Sequence, residues 1–182
     1  MTWIVHRITV PEAQPFDLSK VKSHLRVDFD EDDAAIANMA GTAALEIEHF
    51  AQIALLEQTI RLVITEPEVT AVLRLPIGPA NQLLSPTVQL DDVAFTDFDL
   101  VGGIRPVVLW GTSFAQQTPE KITVEYQAGF GPDASFIPRD LGQAIMDQTA
   151  LHYDGRAPMS KRELATSPHM ARIAARYRGV QV

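Results

Sequence analysis

The chain has 182 residues, a formal net charge of −8 and no cysteine. This length suits one ordinary domain, or one domain carrying an insertion, with a substantial buried core. The lack of cysteine excludes disulfides, thiolate nucleophiles and cysteine-based metal sites. The excess of acidic residues argues against general binding of duplex DNA, which depends on Lys and Arg side chains that neutralise phosphates.

Hydropathy and the opening residues indicate where the chain resides. No run of 18 uncharged apolar residues occurs, so we predict no membrane-spanning helix. The first residues, MTWIVHRITVPEAQP, lack a basic region followed by a long apolar stretch and a small-residue cleavage site. Because a secretory signal needs those features, we expect synthesis and residence in a cytoplasm.

Two helices are predicted before residue 57. Leu18, Val21 and Leu25 recur at three- and four-residue spacing, which indicates a short helix with Asp17 or Ser19 as its N-cap. Apolar residues then recur at the helical period, which predicts a long helix over residues 31–54.

Small residues mark one part of the long predicted helix. Gly41 lies inside it, where glycine costs about 1 kcal/mol relative to alanine. Ala40, Ala43 and Ala44 are its neighbours in sequence. We therefore expect Gly41 to lie close to another backbone.

Five acidic residues occupy six positions between the two helices, from Asp28 to Asp33. A calcium loop needs glycine at the sixth position and glutamate at the twelfth, but Asp33 and Met39 stand there. We interpret Asp30 as the N-cap of the long helix and the three acids after it as its first turn, where the helix dipole favours negative charge. The residues of this helix cap and acidic turn are Asp28, Asp30, Asp32 and Asp33.

Residues 57–130 change to a strand-like pattern of alternating β-favouring side chains separated by Pro, Gly, Asp and Ser. We predict a small antiparallel sheet of five or six strands in this region. The candidate strands are EQTIRLVITE, TAVLRLP, TVQLDD, FDLVG, RPVVLW and KITVEYQAGF.

Two helices are predicted after the sheet. IPRDLGQAIMDQTALHYDGR has the helical period, with Pro138 suited to a first turn. TSPHMARIAARYRG predicts a short final helix with Ser167 as N-cap and Pro168 at the first position. The apolar stripe of that final helix comprises Met170, Ile173, Ala174 and Tyr177.

The predicted fold class is α+β. We expect a helical core, made of two N-terminal helices, one of them long, and the C-terminal helices, with a small antiparallel β-sheet inserted into it. The expected parts of this composite domain are an N-terminal helical part over 1–56, an inserted β region over 57–130, and C-terminal helices with a basic tail over 131–182.

No arrangement of residues typical of catalysis is found. No two histidines lie three to five residues apart, as a helical zinc-binding pair requires. Ser113 in GTSFA lacks the second glycine of a nucleophile elbow. We therefore predict a binding or structural protein that has no catalytic residue, metal ligand or cofactor. The five histidines are His6, His24, His49, His152 and His169.

Charge is unevenly distributed along the chain. Residues 1–155 hold 9 Lys and Arg against 22 Asp and Glu, whereas residues 156–182 hold 6 against 1. The basic tail is therefore a candidate for docking on an acidic surface.

The segment LSKVKSHLRVDFDEDDAAIANMAGTAALEIEHFAQIAL resembles the N-terminal signature of tailed-phage head-to-tail connector (adaptor) proteins. In that family a short helix ending in K-x-H-L-R-[VI]-D precedes an acidic turn containing D-D-x-x-[IL], and a long alanine-rich helix with [IVE]-E-x-[FY] follows. The matching residues are Lys22, His24, Leu25, Arg26, Val27 and Asp28, then Asp32, Asp33 and Ile36, then Glu48 and Phe50.

Three later segments extend the resemblance to the longer members of this family. LRLPIGPA is similar to their LP-x-x-P turn, ITVEYQAGFG to their V-x-Y-x-A-G-[FY]-G strand, and IPRDLGQAIMDQTALHYDGR to their [VI]-P-x-x-[IL] helix. The resemblance covers most of residues 18–156. Phage-derived gene transfer agents use the same adaptor, so either origin agrees with it.

The resemblance implies a structural protein of the virion head–tail junction, synthesised in the cytoplasm of a bacterial host. Usually twelve copies form an oligomeric ring beneath the portal protein and extend the DNA channel toward the tail. The implied partners are the portal protein, other copies of the chain, and a stopper or tail-terminator protein on the tail side. DNA passes through without specific binding, and no membrane is involved.

The resemblance also implies a role for the basic tail, because the C-terminal segment of such adaptors reaches the portal. Six residues of the final helix and its end are assigned to portal docking as a hypothesis. The alternative is a terminal helix that folds back on its own core. The assigned residues are Met170, Arg172, Ile173, Arg176, Tyr177 and Arg178.

Other readings of the whole chain remain open at the level of sequence. It is compatible with another morphogenetic part, such as a tail-completion protein, and with a small metal-dependent enzyme or regulator. The inserted β region suits contacts between subunits or with the tail, and equally a stabilising role.

Overall fold

The computed structural model describes residues 1–68, 70–81, 83–155 and 166–178. The chain divides into two compact units. The first comprises Met1–Pro11 and Glu57–Gly129, and the second comprises Glu12–Leu56 and Phe130–Val182. Within the described ranges, the first unit contains the strands and the second contains the α-helices.

Two antiparallel sheets form the first unit. The five-stranded sheet has the order β1-β2-β8-β4-β5, and the three-stranded sheet has the order β3-β7-β6. The strands are β1 (Thr2–Arg7), β2 (Gln58–Thr65), β3 (Val72–Arg74), β4 (Thr87–Leu90), β5 (Val93–Phe95), β6 (Phe98–Val101), β7 (Val107–Trp110) and β8 (Lys121–Ala128).

The predicted helical core with one small inserted sheet is wrong. The strands form two sheets in a compact unit with its own buried residues, so the fold is mixed α/β with separate strand and helix units. Strand β1 precedes every helix and pairs with β2 from Thr2–Thr65 to Arg7–Ile60. The sequence did not reveal β1, because its apolar residues point to both faces and its partner strand begins only at Gln58.

Buried residues alternate with more exposed residues along β2 and β8, so the buried ones form one apolar face of the larger sheet. Ile60, Leu62 and Ile64 of β2 are fully buried and stand opposite Tyr126, Val124 and Ile122 of β8. Since residues directly opposite in an antiparallel pair share a face, these six side chains form one apolar layer.

Tyr126 fixes a loop of the first unit. Its hydroxyl donates to the Ile77 carbonyl at 2.9 Å and accepts from the Ile77 N–H at 3.1 Å. Burial raises the pKa of Tyr126, because ionisation would place a phenolate away from water. The hydroxyl therefore satisfies both backbone groups of Ile77 in a buried position.

An aromatic cluster connects the two sheets of the first unit. Trp110 and Phe114 stack at 4.3 Å between ring centroids, and Phe95 and Phe98 approach Trp110 edge-on. Asp97 closes the adjoining turn by accepting from the Ser113 N–H at 2.9 Å and its hydroxyl at 2.5 Å.

Four helices form the second unit in the described residues. Helix α2 packs against the other three, and residues of its inward face are almost completely buried. The helices are α1 (Leu18–Leu25), α2 (Asp33–Ala51), α3 (Arg139–Asp154) and α4 (Pro168–Tyr177). No helix in the described ranges is both long and apolar enough to cross a membrane.

Helix α2 ends earlier than residue 54 because the chain reverses there. Gln52 adopts a left-handed conformation with φ 54°. The carboxylate of Glu48 then accepts the N–H of Leu55 at 2.6 Å, and both residues are buried. This hydrogen bond holds the reversed segment against the end of its own helix.

The expected close approach of another backbone at Gly41 is not found. A Cβ built on Gly41 would have no heavy atom within 4 Å outside its own helix backbone. At Gly111, by contrast, a Cβ would overlap the carboxylate of Asp97. Gly111 therefore permits the close approach that closes the turn.

Replacing Gly41 by alanine is expected to raise the free energy of unfolding by up to about 1 kcal/mol, because alanine is the better helix former and the space is open. Chemical denaturation of the purified chain measures this change. The matched variant Gly111→Ala should be destabilised, because the new methyl group displaces Asp97. A stabilised Gly111→Ala variant would contradict the described turn.

Candidate assembly surfaces

Helix α4 carries the predicted docking residues, and its start is well specified by the sequence. The Ser167 hydroxyl accepts from the Met170 N–H at 3.4 Å, and Pro168 occupies the first turn, where no intrahelical donor is needed. Both features were predicted from the sequence and are confirmed.

The apolar side of α4 packs inside the second unit. Met170 and Ile173 are 1% and 3% exposed, and they join the core formed by α2 and α3. Tyr177 packs edge-on against Phe130 and donates its hydroxyl to Asp140 at 2.8 Å. Burial and this bond raise the pKa of Tyr177 to about 12.

Polar contacts also hold α4 against α3. The side-chain carbonyl of the buried Gln148 accepts the Ser167 N–H at 2.8 Å, and the Asp147 carboxylate pairs with the Nδ1 atom of His169. Helix α4 is thus fixed near its beginning by Asp147 and Gln148, and near its end by Tyr177.

The structure divides the six predicted docking residues into two groups. Met170 and Ile173 are core residues of this chain, so they are not available to a partner while α4 is packed in this way. Tyr177 is half-buried. This is the folded-back arrangement that the sequence had left as the alternative.

The remaining docking residues form an exposed basic surface. Arg172, Arg176 and Arg178 are exposed, and residues 166–178 contain no acidic residue. The guanidinium carbon of Arg178 lies 5.6 Å from the ring centre of Phe50. We call these three side chains the arginine surface. Of the basic tail, residues 156–165 and 179–182 lie outside the described part of the chain.

Helix α2 begins at Asp33, two residues later than the start predicted from the sequence. Asp32, and not Asp30, occupies the N-cap position, and Asp33 is the first helical residue. Asp30 and Asp33 instead lie 2.5 and 2.6 Å from the Lys22 ammonium group of α1. Asp28 is exposed. The turn therefore connects the two helices through one lysine.

The contact of Lys22 with Asp30 and Asp33 shifts the pKa values of Lys22 and Asp30. The hydrogen bond to Asp30, followed by that to Asp33, raises the pKa of Lys22. The hydrogen bond from Lys22 lowers the pKa of Asp30. Within the described ranges, no group of three or more His, Asp and Glu side chains is arranged to hold a metal ion.

Two histidines have roles that the sequence did not indicate. His24 and His152 lie in the last turns of α1 and α3. His24 lies 3.3 Å from Asp147 of α3, and His152 lies 3.1 Å from Glu46 of α2. No local spacing could show this, since each partner lies on another helix, far away in sequence.

Removing side-chain volume at Ile173 tests the packing of α4. Ile173→Ala is expected to lower the free energy of unfolding by about 2–4 kcal/mol, because it leaves a cavity among α2, α3 and α4. The exposed neighbour Arg172→Ala should change it by less than about 0.5 kcal/mol. Equal stability of both variants, measured by denaturation, would show that α4 is not packed.

Acid titration tests the Lys22 contact. Because the folded-state pKa of Asp30 is lowered, its contribution is present above the unfolded-state pKa and is lost as pH falls through the folded-state value. Asp30→Asn should therefore lower stability near neutral pH and flatten its fall in acid. Asp28→Asn is the control. An unchanged acid dependence in Asp30→Asn would contradict the contact.

No protein-family model and no curated protein matches the chain. Solved structures do match it over nearly its full length. One is described as the virion of a native gene transfer agent particle, with TM-score 0.78 and 23% identity over 98% of this chain and 97% of that chain.

Two further structures come from particle necks. The neck of an empty gene transfer agent particle, computed with C6 symmetry, has TM-score 0.78 and 23% identity. The neck of a native particle, computed with C12 symmetry, has TM-score 0.75 and 22% identity. Each alignment covers 98% of this chain and 97% of the other. The strand and helix units of this chain thus share their fold with chains of those particles.

Proposed function

We propose that this chain is a structural component of the neck of a tailed phage or gene transfer agent particle. Within the neck it acts as the head-to-tail connector (adaptor), seated beneath the portal protein. The observation that carries the proposal is the full-length likeness to chains of gene transfer agent particles, necks included. The adaptor-like segments from KSHLRVD onward give independent support from sequence.

A ring of copies is part of the proposal. The neck structures that share the fold were computed with C6 and C12 symmetry, which supports repeated copies about an axis. Identical subunits close a ring through a contact in which each copy presents one surface to a different surface of its neighbour. We propose twelve such copies around a DNA channel.

The charge of the chain is compatible with passage of DNA. Residues 1–155 hold 22 acidic and 9 basic residues. A channel wall of that character binds phosphates weakly, because affinity for DNA grows with the number of phosphates neutralised. DNA can then slide past without a specific contact.

The arginine surface of α4 is the proposed contact with the portal protein. Arg172 and Arg176 project from a helix whose apolar side is occupied by its own core. What α4 offers to a partner is therefore positive charge, suited to an acidic surface. The tail-side partner, a stopper or tail-terminator protein, binds elsewhere on the ring.

The proposal assigns no reaction to the chain. The Ser113 hydroxyl donates to Asp97 and closes a turn, and the carboxylate partners of His24 and His152 connect helices. These polar groups have roles in the fold.

Imaging of particles from a producing cell tests the placement. A tagged copy of the chain should lie between the portal and the tail, and cells lacking the chain should accumulate heads without tails. A tag at the distal end of the tail would favour a tail-completion protein instead. A tag on the capsid shell would refute the neck assignment.

Charge reversal tests the arginine surface. The variant Arg172→Glu with Arg176→Glu should fold with unchanged thermal stability, because both side chains are exposed. It should nevertheless fail to restore tailed particles to cells lacking the chain. Lys20→Glu, an exposed reversal on α1, is the control and should restore them. Normal tailed particles with the double variant would exclude this surface as the docking site.

A further inference from the structure

We propose that the free edge of β1 is a lateral contact of the ring, occupied by a second copy of this chain through addition of a strand. The inference rests on the ring assembly of the proposed function and deepens it by naming the surface. Strand β1 is the terminal strand of the five-stranded sheet, and in the described residues only β2 pairs with it.

Backbone hydrogen bonds from β1 to β2 occur at every second residue of β1, so the residues between them have N–H and C=O groups that do not bond to β2. The Ile8 N–H donates to the Thr59 carbonyl at 2.8 Å, immediately after β1. In an antiparallel pair, hydrogen-bonded and non-hydrogen-bonded positions alternate. Ile4 and His6 therefore direct their backbone groups to β2, whereas Trp3 and Val5 direct theirs to the free edge.

Two side chains of β1 continue the buried apolar layer of β2 and β8 to the edge of the sheet, where they are exposed. Trp3 and Val5 stand opposite Ile64 and Leu62, so they lie on the same face as the buried layer of β2 and β8. Ile64 and Leu62 are fully buried, but Trp3 and Val5 are 40% and 39% exposed. Ile4, on the opposite face, is 43% exposed. Both faces of the edge therefore present apolar area to a partner.

The other edge of this sheet is protected in ways that β1 is not. Edge strands avoid unwanted pairing by being short or by carrying charges. Strand β5 has only three residues and follows Asp91 and Asp92 directly. Strand β1 has six residues, and its charged side chain, Arg7, lies at the end of the strand, where it donates to Gln58 at 3.1 Å. A long edge that is apolar from Trp3 to Val5 is suited to a strand partner.

Charge favours a second copy as that partner. The chain carries −8 overall, so copies repel each other across most of their surfaces. Residues 1–11 contain one arginine and no acidic residue. The β1 edge is therefore a place where two acidic copies meet at low electrostatic cost. In a ring, the β1 edge of one copy contacts a different surface of the next copy. Pairing of β1 with β1 of another copy would instead close a dimer and stop the ring from forming.

Variants of β1 in particles from a producing cell test the inference. Val5→Lys places a charge on the free edge and should be lost from necks while the purified variant keeps the thermal stability of the original chain. Val10→Lys adds the same charge at an 85% exposed site beyond the strand, and it should be incorporated normally. Equal incorporation of both variants would overturn the inference and leave the neck assignment intact. Absence of the unaltered chain from necks would instead overturn the proposed function.

Cross-linking identifies the occupant. A photo-crosslinking residue at position 5 should give, in assembled necks, a product of twice the 20.0 kDa mass of the chain. A product containing a different neck protein, or no intermolecular product, would overturn the proposal. Because the chain has no cysteine, Val5→Cys adds a single thiol. A disulfide between two such thiols in the neck would show β1-to-β1 pairing and would also overturn it.

Amide hydrogen exchange gives a residue-level signature. The N–H groups of Trp3 and Val5 should exchange rapidly in the isolated chain and slowly in assembled necks. Those of Ile4 and His6, which donate to β2, should be protected in both states. Unchanged exchange at Trp3 and Val5 on assembly would overturn strand addition.

Discussion

The row of small buried side chains on α2 is the packing surface on which the helix unit depends. Ala40, Ala43, Ala44 and Ala51 are at most 2% exposed, and α1, α3 and α4 all contact this helix. Alanines at these contacts let neighbouring helices approach closely, since the separation of helix axes follows the size of the side chains between them. Gly41, beside the row, faces open space and takes no part in it.

Polar contacts on α3 add specificity to this packing. Asp147 connects α3 with His24 of α1 and His169 of α4, and the buried Gln148 binds Glu46 of α2 and the cap of α4. Satisfied polar contacts of this kind select one packing arrangement, because any slip would leave a partly buried donor or acceptor unpaired. The same contacts explain why α4 presents its arginines outward.

Local sequence patterns predicted most elements and missed those that depend on distant partners. The helical period from Ile36 onward and the capping signal at Ser167 were sufficient for α2 and α4. Strand β1 was missed because its apolar side chains do not alternate and its partner is remote in sequence. The N-cap of α2 was predicted at Asp30 but is Asp32, because several neighbouring acidic residues suit the cap position equally well. For α4, an amphipathic stripe looks the same whether it is buried in its own unit or in a partner, so pattern alone left both arrangements open.

The two proposed contacts of the ring differ in their physics, and each suits its partner. The arginine surface acts through charge, which attracts an acidic partner at a distance and is screened by salt. The β1 edge acts through backbone hydrogen bonds and apolar area, which operate only at close range and tolerate like net charge on the two copies. A chain with a net charge of −8 cannot rely on general electrostatic attraction to bind itself. An acid-free, apolar element such as β1 lowers the electrostatic cost of the proposed contact between two such copies.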